Sequence, residues 1–192
     1  MTAPALTLQV IIVSTRPGRV GPTVAAWAEE QARLHGKFVV ELVDLADFAL
    51  PIFDEPKHPR LGVYEHEHTK RWSASVQRAD AFVFVTPEYN FSAPPVLLNA
   101  LQFLYHEWSY KPVAFVSYGG VSGGLRSVQA AKLAVTTFKL VPLVEAVSIS
   151  AIAQRIDKTN GVFTPDEKHP TAARAMLDEL HRWAVALKPM RG

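Results

Sequence analysis

Three polar loops, each following an apolar run, hold the residues of this chain that are best suited to chemistry. The first places hydroxyls, two guanidinium groups and two glycines before a predicted helix, where backbone N–H groups and the positive helix end attract phosphate. It lacks the P-loop lysine and does not match G-x-G-x-x-G, so an ordinary turn with solvated arginines is the alternative. Its residues are Ser14, Thr15, Arg16, Pro17, Gly18, Arg19, Val20 and Gly21.

The second loop follows a strand that is apolar on both faces, as expected of a central strand in a parallel sheet. Ligands of such sheets sit outside the carboxyl ends of the strands. The loop combines flat and hydrogen-bonding groups, which favours a planar ligand held by backbone amides beside an aromatic ring. A turn whose aromatic side chains fill the core is the alternative. The loop consists of Pro87, Glu88, Tyr89, Asn90 and Phe91.

The third loop carries four glycines within six residues, which allow the backbone to approach a ligand closely at an entropic cost. The alternatives are a flexible lid and a helix-capping turn. The loop runs through Ser117, Tyr118, Gly119, Gly120, Val121, Ser122, Gly123 and Gly124.

The elements that must position these loops alternate along the chain. Hydrophobic periodicity predicts strands at 6–13, 38–45, 81–86, 113–117 and 143–149, and helices at 22–34, 65–78, 95–105, 125–140 and 173–187. Five strands alternating with five helices predict one α/β domain over residues 1–192, with a five-stranded parallel sheet covered by helices on both faces. The segment 150–170 is expected to be a surface connection or to hold a short hairpin, and Trp27 and Trp183 to be core residues.

Composition excludes several classes of function. A net charge of +2 without a basic stripe argues against nucleic acid, and the absence of cysteine excludes disulfides and thiolate metal sites. No apolar run approaches the ~18 residues of a membrane span, and no signal peptide is evident, so a cytoplasmic chain is expected. His66 and His68 are an i,i+2 pair without an evident third ligand, so no metal site is predicted.

In this order and spacing, the segments Ser-Thr-Arg-Pro-Gly-Arg, Pro-Glu-Tyr-Asn and Ser-Tyr-Gly-Gly-x-Ser-Gly-Gly resemble the NAD(P)H-dependent FMN reductase family. The resemblance covers about residues 7–150 and implies a flavodoxin-like fold. It departs from the family pattern at Val13, Leu98 and Gln102. It implies that the FMN phosphate is held by Ser14, Arg16, Arg19, Val20 and Gly21. It implies that the isoalloxazine is held by Pro87, Glu88, Tyr89, Asn90, Phe91, Ser117, Tyr118, Gly119 and Gly120.

The activity implied by the resemblance is hydride transfer from NADPH or NADH to FMN, and then reduction of a flavin, quinone, azo compound or chromate by a ping-pong mechanism. No side chain is expected to act as an acid or base, and the backbone amides of residues 88–90 and 119–120 are expected to tune the flavin. A flavodoxin-type electron carrier and an FMN-binding sensor without efficient turnover are the alternatives. The predicted helix 95–105 is apolar all round, which predicts a homodimer or homotetramer.

Overall fold

A five-stranded parallel sheet with the strand order β2-β1-β3-β4-β5 forms the centre of the molecule. The structure is a computed structural model that describes residues 5–191. The strands are β1 (Leu6–Ile12), β2 (Phe38–Asp44), β3 (Ala81–Pro87), β4 (Pro112–Tyr118) and β5 (Val141–Ile149). The helices are α1 (Gly21–His35), α2 (Glu67–Arg78), α3 (Pro95–Gln102), α4 (Leu125–Thr136) and α5 (Lys168–Leu187). The predicted fold class is confirmed.

The two central strands are buried along their whole length because helices cover both faces of the sheet. Successive side chains of a strand point to opposite faces. Val83 and Val85 therefore join a cluster with residues of α1 and α5. Phe82 and Phe84 join a second cluster with residues of α2, α3 and α4.

The strand order reverses at β1, which pairs with β2 on one side and with β3 on the other. Ile12 at the end of β1 lies opposite Val85, and Pro87 at the end of β3 lies opposite Tyr118 of β4. The loops that follow β1, β3 and β4 consequently start side by side at the carboxyl edge of the sheet. In doubly wound sheets this switch point is where ligands bind.

The third helix ends at Gln102, earlier than the predicted residue 105. Two indoles explain this end, because the Nε1 atom of Trp72 donates to the Ala100 carbonyl at 3.0 Å and that of Trp108 donates to the Leu101 carbonyl at 3.2 Å. The Tyr105 amide, which would continue the helix, donates instead to a carboxylate oxygen of Glu107 at 3.3 Å.

The fourth helix ends at Thr136 although the apolar rhythm continues to residue 140. After the helix, the chain makes a tight turn in which the Lys139 amide donates to the Thr136 carbonyl, and Lys139 has φ +56°. A residue in the left-handed conformation cannot continue a right-handed helix, so the chain changes direction at Lys139. The buried Leu140 then leads into β5.

The final helix begins at Lys168, five residues before the predicted start. Trp27 is buried as expected, but the expectation for Trp183 is wrong, since it is 41% exposed beside the buried stripe of α5. The connection before α5 contains a 3₁₀ turn (Ile152–Gln154) and a single antiparallel bridge between Ile156 and Phe163, so its hairpin is minimal.

His66 and His68 lie closer together than an i,i+2 pair on a helix would. His66 precedes α2 with extended dihedrals, and its ring stacks on that of His68 with centroids 5.2 Å apart. The Nε2 atom of His68 is 3.0 Å from a carboxylate oxygen of Asp54. Within residues 5–191, no group of three or more His, Cys, Asp or Glu side chains is arranged to hold a metal ion. Nor does any helix in that range have the length and apolarity required to cross a membrane.

Two of the four glycines between β4 and α4 shape that loop. Gly123 and Gly124 have φ values of +60° and +85°, which favour glycine. A β-carbon on Gly124 would lie 2.8 Å from the Tyr118 nitrogen and 3.0 Å from its carbonyl oxygen. A β-carbon on Gly120 would meet no atom within 4 Å. A left-handed backbone therefore requires glycine at Gly123 and Gly124 but not at Gly119 or Gly120.

Gly124→Ala should destabilise the protein, whereas Gly120→Ala should leave its stability nearly unchanged. The left-handed conformation alone costs an alanine roughly 1–2 kcal/mol, and the contact with the Tyr118 backbone adds to it. We expect the melting temperature, followed by circular dichroism, to fall by about 4 °C or more for Gly124→Ala and by less than about 1 °C for Gly120→Ala. Equal melting temperatures for the two variants would contradict this account of the loop.

Candidate functional site

A cavity of about 250 Å³ lies at the carboxyl edge of the sheet, where the loops after β1, β3 and β4 meet. All three predicted loops contribute to its wall, and every lining residue except Ile152 is one that the sequence analysis singled out. The lining residues are Arg16, Arg19, Val20, Pro87, Glu88, Tyr89, Tyr118, Gly119, Gly120 and Ile152.

The other predicted residues lie behind the cavity or beside it. Ser14 and Ser117 are fully buried, and the Ser117 hydroxyl donates to the Gly123 carbonyl at 2.8 Å. Gly21 begins α1 against Ser14, where an added β-carbon would lie only 2.2 Å from the Ser14 Oγ. Asn90 and Phe91 form the tip of a turn on the surface. Ser14, Gly21 and Ser117 therefore shape the cavity from behind.

The two arginines of the first loop have different environments. The Arg19 guanidinium donates to both carboxylate oxygens of Asp44, at 2.7 and 2.6 Å, and also to the Ser14 carbonyl. Its hydrogen bond with Asp44 raises the pKa of Arg19 above its usual value. Arg16 is exposed, with its guanidinium carbon 5.9 Å from the centre of the Tyr89 ring, and it makes no hydrogen bond or ion pair with residues 5–191. Arg16 is thus the cation of this loop that an anion can reach without breaking an ion pair.

The N-terminus of α1 adds a second attraction for anions. The helix begins at Gly21 without a side-chain cap, with Pro22 in its first turn. Uncapped N–H groups and the helix dipole carry partial positive charge, so the end of α1 and Arg16 together suit a phosphate group.

The backbone amides of the second and third loops are mostly used within the protein. The Glu88 amide donates to the Tyr118 carbonyl at 3.2 Å and the Tyr89 amide to the Ser92 carbonyl at 3.1 Å, while the Gly119 amide donates to the Ile149 carbonyl at 3.1 Å. Those three amides are therefore not available to a ring ligand, contrary to expectation. The amides of Asn90 and Gly120 donate to no acceptor in residues 5–191, and the space above Gly120 is open.

A strained turn carries the aromatic rim of the cavity. Asn90 and Phe91 have φ values of +47° and +65° between the bridged residues Tyr89 and Ser92, as in a two-residue hairpin. Phe91 is 69% exposed, and the Arg126 guanidinium carbon lies 3.7 Å from its ring centre. A bulky residue in the left-handed region is unusual, and such strain is concentrated at functional sites.

The carboxylate of Glu88 fastens this turn to α4. It accepts from the Ser122 hydroxyl at 2.8 Å, from the Arg126 amide at 3.1 Å and from the Arg126 Nε at 2.7 Å. The Arg126 guanidinium lowers the pKa of Glu88, so the group is a carboxylate at neutral pH. Arg126 was not among the residues predicted from the sequence, although the side chain of Glu88 is only 7% exposed and a buried acid calls for a cation nearby.

Tyr118 connects the first and third loops. It is 4% exposed, and its hydroxyl donates to the Ser14 Oγ at 3.2 Å. Burial raises the pKa of Tyr118 to about 12, so the phenol stays protonated at neutral pH.

Ile152 enters the cavity from the connection after β5. Its amide donates to the Gly119 carbonyl at 3.0 Å, and the Ala151 amide donates to the Gly120 carbonyl at 2.8 Å. Ile152 could have been predicted from the sequence, because the loop after the carboxyl end of β5 lies at the same edge as the loops after the other strands.

Comparison with known proteins is consistent with this site. The chain is 50% identical over 117 residues to a protein of Schizosaccharomyces pombe named NAD(P)H-dependent FMN reductase, a match that covers 60% of this chain and 58% of that protein. It is 36% identical over 125 residues to a Saccharomyces cerevisiae protein of the same description, covering 59% and 65%. It is 33% identical over 121 residues to a quinone reductase of Pseudomonas putida, covering 60% and 61%. The chain thus spans less than two thirds of these relatives.

A solved structure described as a flavoenzyme NAD(P)H:(acceptor) oxidoreductase, FerB from Paracoccus denitrificans, shares the fold. The two superpose with a TM-score of 0.73 at 22% identity, covering 95% of this chain and 98% of that one. The model of the family described as NADPH-dependent FMN reductase matches residues 6–154, which include every strand and all three loops. The chain therefore belongs to the NADPH-dependent FMN reductase family.

Proposed function

We propose that this protein is an FMN-dependent NAD(P)H reductase. The proposal rests on one observation: three loops meet around one cavity at the switch point of a parallel sheet. At this cavity, Arg16 and the amides of Asn90 and Gly120 have no partner in the described residues. Bound FMN would supply the redox chemistry, taking a hydride from NAD(P)H and passing electrons to a second small molecule in a ping-pong sequence. The protein supplies binding, orientation and electrostatics.

The phosphate of FMN would lie at the first loop. Arg16 supplies an uncompensated positive charge, and the first N–H groups of α1 supply donors. Because Gly21 has no β-carbon, its backbone can approach Ser14 closely, and the start of α1 lies against the loop.

The isoalloxazine ring would lie across the second and third loops. The amides of Asn90 and Gly120 are the donors left for its polar edge, and the absence of a β-carbon at Gly120 leaves room for the ring plane. Tyr89 and the exposed Phe91 supply aromatic surface at the rim.

The side chains at the cavity are poorly suited to acid–base chemistry at neutral pH. Tyr118 stays protonated, and Glu88 is held as a carboxylate by Arg126. A general acid or base works best with a pKa near the operating pH. The proposal therefore assigns no catalytic side chain, and the residues of the cavity bind and orient.

An electron carrier is the rival candidate. Flavodoxin-type carriers are typically acidic so as to dock redox partners, whereas this chain has a net charge of +2. Relatives named quinone reductases support a small-molecule acceptor such as a quinone. We also propose a cytoplasmic location, which the sequence suggests.

The absorption spectrum of the purified protein tests the proposed function. Mixed with FMN and freed of excess ligand, it should retain about one yellow flavin per chain. Anaerobic NADPH or NADH should bleach the flavin within seconds, and addition of a quinone should restore the colour. Flavin that stays oxidised in the presence of both nicotinamides would favour the electron carrier, and a protein that takes up no FMN would refute the proposal.

Replacement of Arg16 tests the proposed phosphate site. Arg16→Ala should weaken FMN binding by roughly ten- to a hundredfold, because a charge-assisted hydrogen bond contributes about 1.5–3 kcal/mol. Riboflavin, which lacks the phosphate, should lose less than about threefold. Fluorescence titration of the apoprotein measures both affinities, with Arg182→Ala on the exposed face of α5 as the control. Equal losses for FMN and riboflavin would show that Arg16 does not bind the phosphate.

We also propose that the protein forms a homodimer through α3 and α4, which pack side by side. Much of α3 is covered within its own chain, since Leu97 and Leu101 are buried and Leu98 is partly buried. On the neighbouring helix α4, Leu125 and Leu133 are 51% and 80% exposed. Exposed apolar side chains on neighbouring helices are typical of an interface.

Light scattering at micromolar concentration should give a mass above the 21.2 kDa of one chain. Leu133→Asp should shift the protein towards the monomer, because a charge would then be buried in the interface. Val144→Asp, at a side chain of β5 that is 85% exposed, is the matched control and should not change the mass. A wild-type mass of one chain would refute the proposed dimer.

A further inference from the structure

The loop between β1 and α1 is held in shape by few contacts. The Val13 amide donates to the Val85 carbonyl at 3.0 Å, and the chain then passes through four exposed residues, 15–18, before α1. None of these four makes a hydrogen bond with residues 5–191, and Gly18 has φ +68°. The contacts that do fix the loop converge on Ser14, whose Oγ accepts from Tyr118 and whose carbonyl accepts from Arg19.

Arg19 reaches the Ser14 carbonyl because Asp44 fixes its direction. The two side chains form a paired contact at 2.7 and 2.6 Å, and each is only about one fifth exposed. One guanidinium nitrogen, Nη1, donates both to Asp44 and to the Ser14 carbonyl, so Arg19 ties the end of the loop to its start and to β2. Asp44 is the last residue of β2 and is itself anchored, because it accepts from the Ala46 amide at 3.0 Å.

We propose that Asp44 is a positioning residue for phosphate binding: it holds Arg19 against the Ser14 carbonyl and so keeps the loop in the shape in which Arg16 and the start of α1 face the phosphate. The inference rests on the proposed function and deepens it. Arg19 then closes the loop and is not itself a phosphate ligand. Ordering such a loop before FMN arrives removes the entropic cost of ordering it on binding.

The rival role for Asp44 is competition. If Arg19 were a phosphate ligand, Asp44 would occupy it in the free protein, and FMN would have to displace the carboxylate. Removing the Asp44 charge would then strengthen FMN binding, since phosphate is an anion and Arg19 would be free. The positioning role predicts the opposite sign, because Arg19 would lose its orientation.

The test compares FMN and riboflavin binding in Asp44→Asn and Arg19→Lys. Asparagine keeps an acceptor for the Ala46 amide but removes the charge. Lysine keeps the positive charge but cannot bridge Asp44 and Ser14 with a planar fork. Fluorescence titration should show about tenfold or weaker FMN binding in both variants and less than about threefold loss for riboflavin. Asp47→Asn, an exposed acid close to Arg19, is the charge control and should not weaken FMN binding.

The double variant separates a shared role from independent ones. If Asp44 acts through Arg19, the combined variant should bind FMN no more weakly than Arg19→Lys alone, since residues that act as a unit are not additive. Losses that multiply would overturn the inference. The inference would also be overturned if Asp44→Asn bound FMN at least as tightly as wild type, or if its affinities for FMN and riboflavin fell equally.

A melt of each variant accompanies the titrations. Should Asp44→Asn fail to fold, Arg19→Lys decides alone, and full FMN affinity in that variant overturns the inference. Wild-type protein that binds neither flavin would refute the proposed function and this inference with it. Wild-type protein that binds FMN, together with an unaffected Asp44→Asn variant, would refute this inference only.

Discussion

The parallel pairing of β1 with β3 and of β3 with β4 is the constraint on which the rest of the structure depends. It brings the ends of three strands to one edge, in register at Ile12 with Val85 and at Pro87 with Tyr118. The loops must start there whatever their own sequences, and right-handed crossovers then place the helices over the two faces. Burial of both faces maintains the pairing, because β3 and β4 present apolar side chains to a layer of helices on each side.

The loops after β3 and β4 leave few of their expected donors free. Of the five amides at residues 88–90 and 119–120, three donate to carbonyls of a neighbouring strand or of the same turn. Such pairing is the rule for buried backbone groups, whereas Asn90 and Gly120 are exposed and their unpaired amides are open to a ligand. Cofactor recognition would then depend on a small set of groups whose positions the surrounding hydrogen bonds fix.

Charge is arranged in the same manner around the cavity. Asp44 pairs with Arg19 and Glu88 pairs with Arg126, so two of the three arginines near the cavity are neutralised by carboxylates. Both pairs also hold backbone groups: Arg19 donates to the Ser14 carbonyl, and Glu88 accepts from the Arg126 amide at the start of α4. Arg16 has no such partner in the described residues and is left for a ligand. The ion pairs are therefore part of the construction of the site and not only of its stability.

The sequence by itself determined the fold class and most of the cavity wall. Apolar runs that alternate with segments of helical periodicity indicate a parallel sheet. The rule that ligands bind at the carboxyl ends of the strands then places the three loops at the site. Local sequence could not show where α3 ends, because the indoles of Trp72 and Trp108 lie outside the helix and donate to its carbonyls. Nor could it show that Trp183 lies beside the buried stripe of α5.

Only the tertiary structure decided the role of each polar group within the loops. Arg16 and Arg19 are equivalent in the sequence, and they differ because β2 places Asp44 within reach of one of them alone. The glycines of the third loop also look alike, yet the fold packs the Tyr118 backbone against Gly124 and leaves Gly120 facing open space. The first difference arises from a contact between residues far apart in the chain and the second from the way the loop folds back on β4, and spacing along the sequence encodes neither.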